Sequence, residues 1–155
     1  MSAPTIWNAD ETKVDLSGDP NDIYPAHCFY RRAVKRLNGA DLVALSSAPK
    51  IILRAVAGAE HIVQDVYIDF VINSGAPVTG SDLQLRYGGA NGEVVADVLP
   101  FATISAAATN KTWRLRPTNA CRFNRPIVIE TTGVAWNLTD CVVFVTVNFE
   151  MRQLK

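Results

Sequence analysis

Residues 61–72, HIVQDVYIDFVI, constrain the fold more than any other stretch of the chain. From Gln64 onward, Val66, Ile68, Phe70 and Ile72 fall on one side and Asp65, Tyr67 and Asp69 on the other. This period of two is that of a strand with one buried and one solvated face. β-Branched and aromatic residues suit such a pleated surface, and the run is too short and too charged to span a bilayer. Residues 141–151 repeat the pattern. There Cys141, Val143, Val145, Val147, Phe149 and Met151 share one face, while Thr146, Asn148 and Glu150 share the other. Two strands of this quality are expected at the centre of a β-sandwich.

The rest of the chain reads as shorter strands between turns. Residues 29–37 (FYRRAVKRL) fit helical or strand spacing and are read as a strand, with Phe29, Arg31, Ala33, Lys35 and Leu37 on one side. Asn38-Gly39 then turns into a short helical segment, residues 40–45, with Asn38 or Asp41 as its cap and Leu42 and Leu45 on one side. Further strands are expected over 51–56, 82–87, 93–98, 112–116 and 127–132. Leu83, Leu85 and Tyr87 should point inward, and Asp82, Gln84 and Arg86 outward. Residues 88–92 (GGANG) read as a hairpin turn, 102–110 as a loop or edge segment, and 117–125 as a loop. The sum is an all-β chain, a β-sandwich or jelly roll of about eight to nine strands. Residues 27–155 form that domain. Residues 1–26 hold Pro4, Pro20, Pro25 and isolated apolar anchors, and read as an extended N-terminal arm lying on its own domain or a neighbour.

Composition excludes some function classes. Fifteen Lys and Arg balance fifteen Asp and Glu, so no overall field attracts nucleic acid or an anionic membrane. The charge is segregated, however. Asp10, Glu11, Asp15, Asp19 and Asp22 face Lys13 alone in the arm; Arg31, Arg32, Lys35 and Arg36 cluster next; Lys111, Arg114, Arg116, Arg122 and Arg125 crowd 111–125. Such segregation suits self-assembly between complementary faces, or plain solvated surfaces. Cys28, Cys121 and Cys141 are odd in number and widely spaced. No basic region followed by an apolar run opens the chain, so synthesis in a reducing cytosol is expected, with Cys141 a small core residue. The two Asn-x-Thr matches, at Asn110 and Asn137, are then chance.

No motif carries catalysis. His27 and Cys28 are sequence neighbours that a strand points to opposite faces. His61 is expected at the surface or at a sheet end. Asp65 and Asp69 lie about 13 Å apart along a strand, beyond the reach of a catalytic carboxylate pair. The glycines of 88–92 lack the Lys-Ser/Thr of a phosphate loop. Tyr67, Tyr87, Trp113 and Trp136 could line a sugar site, but core packing is the better reading for the two tryptophans. No metal, cofactor or catalytic residue is expected.

The order of Asp41, Leu42, Leu45 and Pro49, the strand ending at Gly58, and Asp82-Leu-Gln-Leu-Arg-Tyr-Gly88 forms a familiar pattern. It continues with Asn124-Arg-Pro-Ile-Val-Ile129, a turn at Gly133 and a closing strand of Val and aromatic residues. Over residues 37–155 this resembles small virion proteins of tailed bacteriophages, in particular head decoration or cement proteins. The resemblance implies a β-sandwich or jelly-roll subunit, made in the host cytoplasm and held on the capsid surface by the major capsid protein. It also implies a homo-oligomer, a trimer being usual, with no direct role for nucleic acid or membrane. Trp7, Ile23, Tyr24, Arg31 and Arg32 are the candidate partner contacts. The alternative is a receptor- or carbohydrate-binding module of a tail, fibre or spike, which would need an exposed aromatic platform. An enzyme of the cupin type would need a histidine cluster, and the chain has two histidines.

Overall fold

The computed structural model describes residues 28–88, 92–118, 121–123, 125–137 and 140–153. In chain order the elements are β1 (Cys28–Leu37), α1 (Gly39–Ala44), β2 (Lys50–Leu53), β3 (Ala59–Ile72) and β4 (Leu83–Tyr87). They continue with α2 (Phe101–Ser105), β5 (Lys111–Leu115), β6 (Cys121–Phe123), β7 (Ile127–Thr131) and β8 (Cys141–Gln153). Two antiparallel sheets result. The larger runs β1-β8-β3-β5, with β6 also paired to β3, and the smaller runs β2-β7-β4. The expected all-β sandwich is therefore present.

The two alternating strands pair with each other at its centre, from Ala59 opposite Gln153 to Ile72 opposite Cys141. The register shifts once, between Val63 and Asp65. The extra residue of this bulge reverses which parity faces inward. His61 and Val63 are buried on one side of it, and Val66, Ile68 and Phe70 on the other. That shift is why alternation begins cleanly only at Gln64. It also corrects the expectation for His61, which is 4% exposed. Its imidazole meets the Phe149 ring edge-on at 5.2 Å. Burial pushes its pKa down to about 4, against a smaller opposing effect of a backbone hydrogen bond at Arg125.

The inward residues of both sheets meet in one core. Cys141, Val143, Val145, Val147, Phe149 and Met151 of β8 face Leu83, Leu85, Tyr87, Ile127 and Ile129 of the smaller sheet. Trp136 closes one end, against Phe70 and Phe101, and donates its indole N–H to the Ser81 carbonyl. A Cβ at Gly80 would run into the Trp136 and Phe101 rings, so only glycine fits there. Gly58, at φ +74°, makes the turn into β3. Asn38 caps α1 through its side chain to the Asp41 N–H, and the Asp41 carboxylate answers to the Asn38 N–H. Leu42 and Leu45 are buried beneath it.

Other expectations need correction. Within 102–110 there is helix rather than loop: Pro100 leads into α2, the Phe101 N–H donates to the Asp82 carboxylate, and Ile104 is buried. Its alanine-rich stretch suits a helix. Residues 93–98 lie beside β4 without forming a full strand. Val95 N–H bonds to Leu85 O, but Asp97 N–H turns to Arg116 O and Thr118 N–H to Val95 O. Bonds shared between two neighbours leave only isolated bridges. β6 forms where a loop was expected, pairing with Glu60 to Ile62. The strand expected over 51–56 stops at Leu53.

Candidate assembly surface

The outer face of the larger sheet is where the chain presents an organised, solvent-facing array. The register defines it row by row. Arg32 lies opposite Asn148, which lies opposite Asp65. Val34, Thr146, Tyr67 and Arg114 form the next row. Arg36, Phe144, Asp69 and Thr112 form the third, and Val142 and Val71 pair beyond it. Each belongs to the parity opposite the core, so β8 presents Val142 and Phe144 outward although its inner face is already apolar. Phe144, Tyr67, Val142 and Val71 are half-buried by their neighbours, and Val34 is 41% exposed.

The polar groups of this face are tied to one another. Arg32 Nε donates to Asn148 Oδ1 at 3.2 Å. Arg114 Nε donates to Asp65 Oδ1 at 2.8 Å, and its Nη2 pairs with the same carboxylate. That carboxylate raises the pKa of Arg114 above its ordinary value through hydrogen bonding and charge. Thr112 Oγ1 donates to Asp69 Oδ1 at 2.6 Å. Asp65 and Asp69 therefore serve separate partners and do not converge on a common point. At the margin, Arg152 pairs with Glu60 at 2.9 Å. Charge across the face runs cationic at β1, anionic along β3 and cationic again at β5.

Of the residues singled out from sequence, Arg32 lies on this face and is exposed. Arg31 has the inward parity at the sheet edge and is half-buried, which lowers its pKa. Trp7, Ile23, Tyr24 and His27 lie outside the described residues. Trp136 and Tyr87 are core residues, and Trp113 packs against the core beside Phe70 at 6.1 Å. Tyr67 is the one member of that aromatic set on the outer face, so these four make no platform. Cys141 is buried on the inner face.

Sequence reading missed two features. One is the apolar strip of Val34, Phe144 and Val142, whose signal was the parity of β8. The other lies on the smaller sheet. Gln84 and Glu130 point away from the core, yet they are 3% and 6% exposed. Gln84 Nε2 donates to Glu130 Oε1 at 2.9 Å. Arg86 Nε stands 2.6 Å from the same oxygen, an ion pair not aligned as a hydrogen bond. Arg86 Nη1 donates to Gly92 O at 2.6 Å.

One concave feature lies among the described residues. An open cleft of about 690 Å³ lies between α1 and the 74–76 turn, lined by Asn38, Ser74, Ala76 and Asp140. Asp140 is its single charged group, and it accepts a hydrogen bond from Asn73. Among the described residues, no group of three or more His, Cys, Asp or Glu could hold a metal ion. Among the described residues, no helix is long and apolar enough to cross a membrane.

No protein-family model matches the sequence, and no curated protein matches it. Among solved structures, the chain is similar to one from the cyanophage Pam1 capsid asymmetric unit, with TM-score 0.46 and 15% identity over 96% of this chain and 97% of that one. It is similar to a chain of the nora virus structure, with TM-score 0.37 and 11% identity, covering 88% of this chain and 63% of that one. A third similarity is to a chain of the Bacillus endospore appendages, described as disulfide-linked pili, with TM-score 0.37 and 12% identity over 91% and 99% of the two chains.

Proposed function

We propose that this chain is a non-enzymatic structural subunit of a tailed-phage particle, decorating or cementing the capsid. One observation carries the reading: the most organised solvent-facing feature among the described residues is a broad sheet face with an open cationic edge. Catalysis needs titratable groups converging in a cleft, and assembly needs wide surfaces that fit copies of one another. The sequence resemblance to phage decoration proteins points the same way.

In this reading the subunits form symmetric oligomers, trimers by the resemblance, on the outer surface of the shell. Residues 1–26, with Trp7, Ile23 and Tyr24 as apolar anchors, bind a neighbouring subunit or the major capsid protein. Arg31 and Arg32 stand at the junction of arm and sheet. The action is mechanical and additive. Each copy buries a modest interface, and contacts spanning adjacent capsid subunits oppose their separation under internal pressure.

Co-sedimentation tests this directly. The purified chain is mixed with shells assembled from the major capsid protein of the same genome. Saturable binding at a fixed ratio to the capsid subunit is expected. Absence of binding at tens of micromolar would overturn the proposal. Removing residues 1–26 should leave a folded sandwich that attaches more weakly, and full occupancy by the truncated chain would remove the arm from the mechanism.

A further inference from the structure

We infer that the outer edge of β1 receives residues 13–19 of a neighbouring copy of this chain as an added strand. The inference rests on the reading of the chain as an assembly subunit, and it names what the arm binds.

β1 is the terminal strand of the larger sheet and, among the described residues, pairs with β8 alone. It is ten residues long, well above the short edges that proteins use to avoid accidental pairing. A strand edge of that length offers a row of backbone N–H and C=O groups to an incoming chain. Arg32, Val34, Lys35 and Arg36 are all exposed, and no other described strand pairs with this edge.

The side chains decide which strand can dock. Arg31, Arg32, Lys35 and Arg36 place four cations within six residues. Two copies of β1 laid edge to edge would set these like charges against each other, which disfavours that pairing. The edge therefore selects an acidic partner. The same chain supplies one in its arm, where Asp10, Glu11, Asp15, Asp19 and Asp22 accompany a single Lys13.

The spacing agrees as well as the sign. Arg32 and Arg36 share the outer face of β1, as their partners Asn148 and Phe144 share it on β8. They are four residues apart, about 13 Å along a strand. Asp15 and Asp19 are also four apart. As an added strand, residues 13–19 would set both carboxylates opposite both guanidinium groups, with Ser17 opposite Val34. In the antiparallel register Val14 would then fall on the other side opposite buried Leu37, and Leu16 opposite Lys35, between Leu37 and Ala33. Pro20, without an N–H, ends the pairing.

Complementary charge reversal tests the inference in the full chain. One variant carries Arg32→Glu and Arg36→Glu, and the other Asp15→Lys and Asp19→Lys; circular dichroism checks that each is folded. Light scattering in the absence of shells should give a multimer for the natural chain and single-chain mass for each variant alone. An equimolar mixture should regain the multimer, because each variant's arm matches the other's edge. The inference is overturned if the natural chain has single-chain mass at 100 µM, or if either variant keeps the full multimeric mass. It is equally overturned if the mixture stays single-chain. Should either variant fail to fold, Arg32→Gln with Arg36→Gln gives the same reading through loss of mass. Because no shell is present, failure here leaves the shell-binding result standing on its own.

Discussion

The outward faces of the two sheets handle polar groups in opposite ways. On the smaller sheet, Gln84 and Glu130 point away from the core and are nevertheless buried, with Arg86 paired onto the same carboxylate oxygen. On the larger sheet, Asp65, Asp69, Arg114 and Arg32 lie in equivalent outward positions within reach of water. A buried carboxylate is tolerable only when paired, whereas solvated ion pairs contribute little and are easily exchanged. The smaller sheet therefore spends its outward polar groups on holding itself together. The larger sheet leaves its own, paired among themselves, in contact with water.

Substitutions can sharpen or break that contrast. The largest effect should come from the layer both sheets share. Phe70→Ala removes the ring that meets Trp113 and Trp136, and should cost about 4 kcal/mol in urea unfolding. A cost below about 1 kcal/mol would mean the two sheets do not share one tight core. Next, Glu130→Ala strands the Gln84 amide and the Arg86 guanidinium, and should cost about 3 kcal/mol. A near-neutral result would place the smaller sheet's outer face in solvent and erase the contrast.

Acid should reveal the buried His61. Its folded pKa, near 4, lies below the unfolded value of about 6.5, so the unfolded chain takes up the proton first. Stability is then full above about pH 6.5 and falls as pH drops toward 4, by about 2 kcal/mol at pH 5. His61→Gln should flatten that slope, and an unchanged slope would assign the acid sensitivity elsewhere. The smallest effect belongs to the open face. Asp69→Ala, which frees Thr112, should change stability by less than about 0.5 kcal/mol. A cost comparable with that of Glu130→Ala would show the larger sheet's outer face to be structural.

What could be read from sequence was local. Alternation was plain over residues 65–70 of β3 and 145–151 of β8, where inward apolar and outward polar residues separate at every step. The α1 cap was visible because Asn38 and Asp41 sit three apart, the spacing of a capping box. Features that depend on remote pairing were hidden. Gln84 and Glu130 are 46 positions apart, and nothing in either segment marks the other. The burial of His61 depends on the bulge before Asp65, which no glycine or proline announces. The helix after Pro100 falls where a loop or edge segment is expected, because small residues carry no amphipathic signal. The candidate assembly surface was half legible. Arg31 and Arg32 stood out as charge, whereas the outward Phe144 and Val142 were overshadowed by the apolar face beside them.

We propose that the chain assembles through the outer face and β1 edge of the larger sheet. Amide hydrogen exchange, compared between the natural chain and its Asp15→Lys, Asp19→Lys variant, reads that edge residue by residue. The expected result is slower exchange in β1 of the natural chain, with β4 and β7 the same in both. Equal exchange of β1 in the two, with slower exchange of the natural chain confined to β2, β4 and β7, would contradict the proposal.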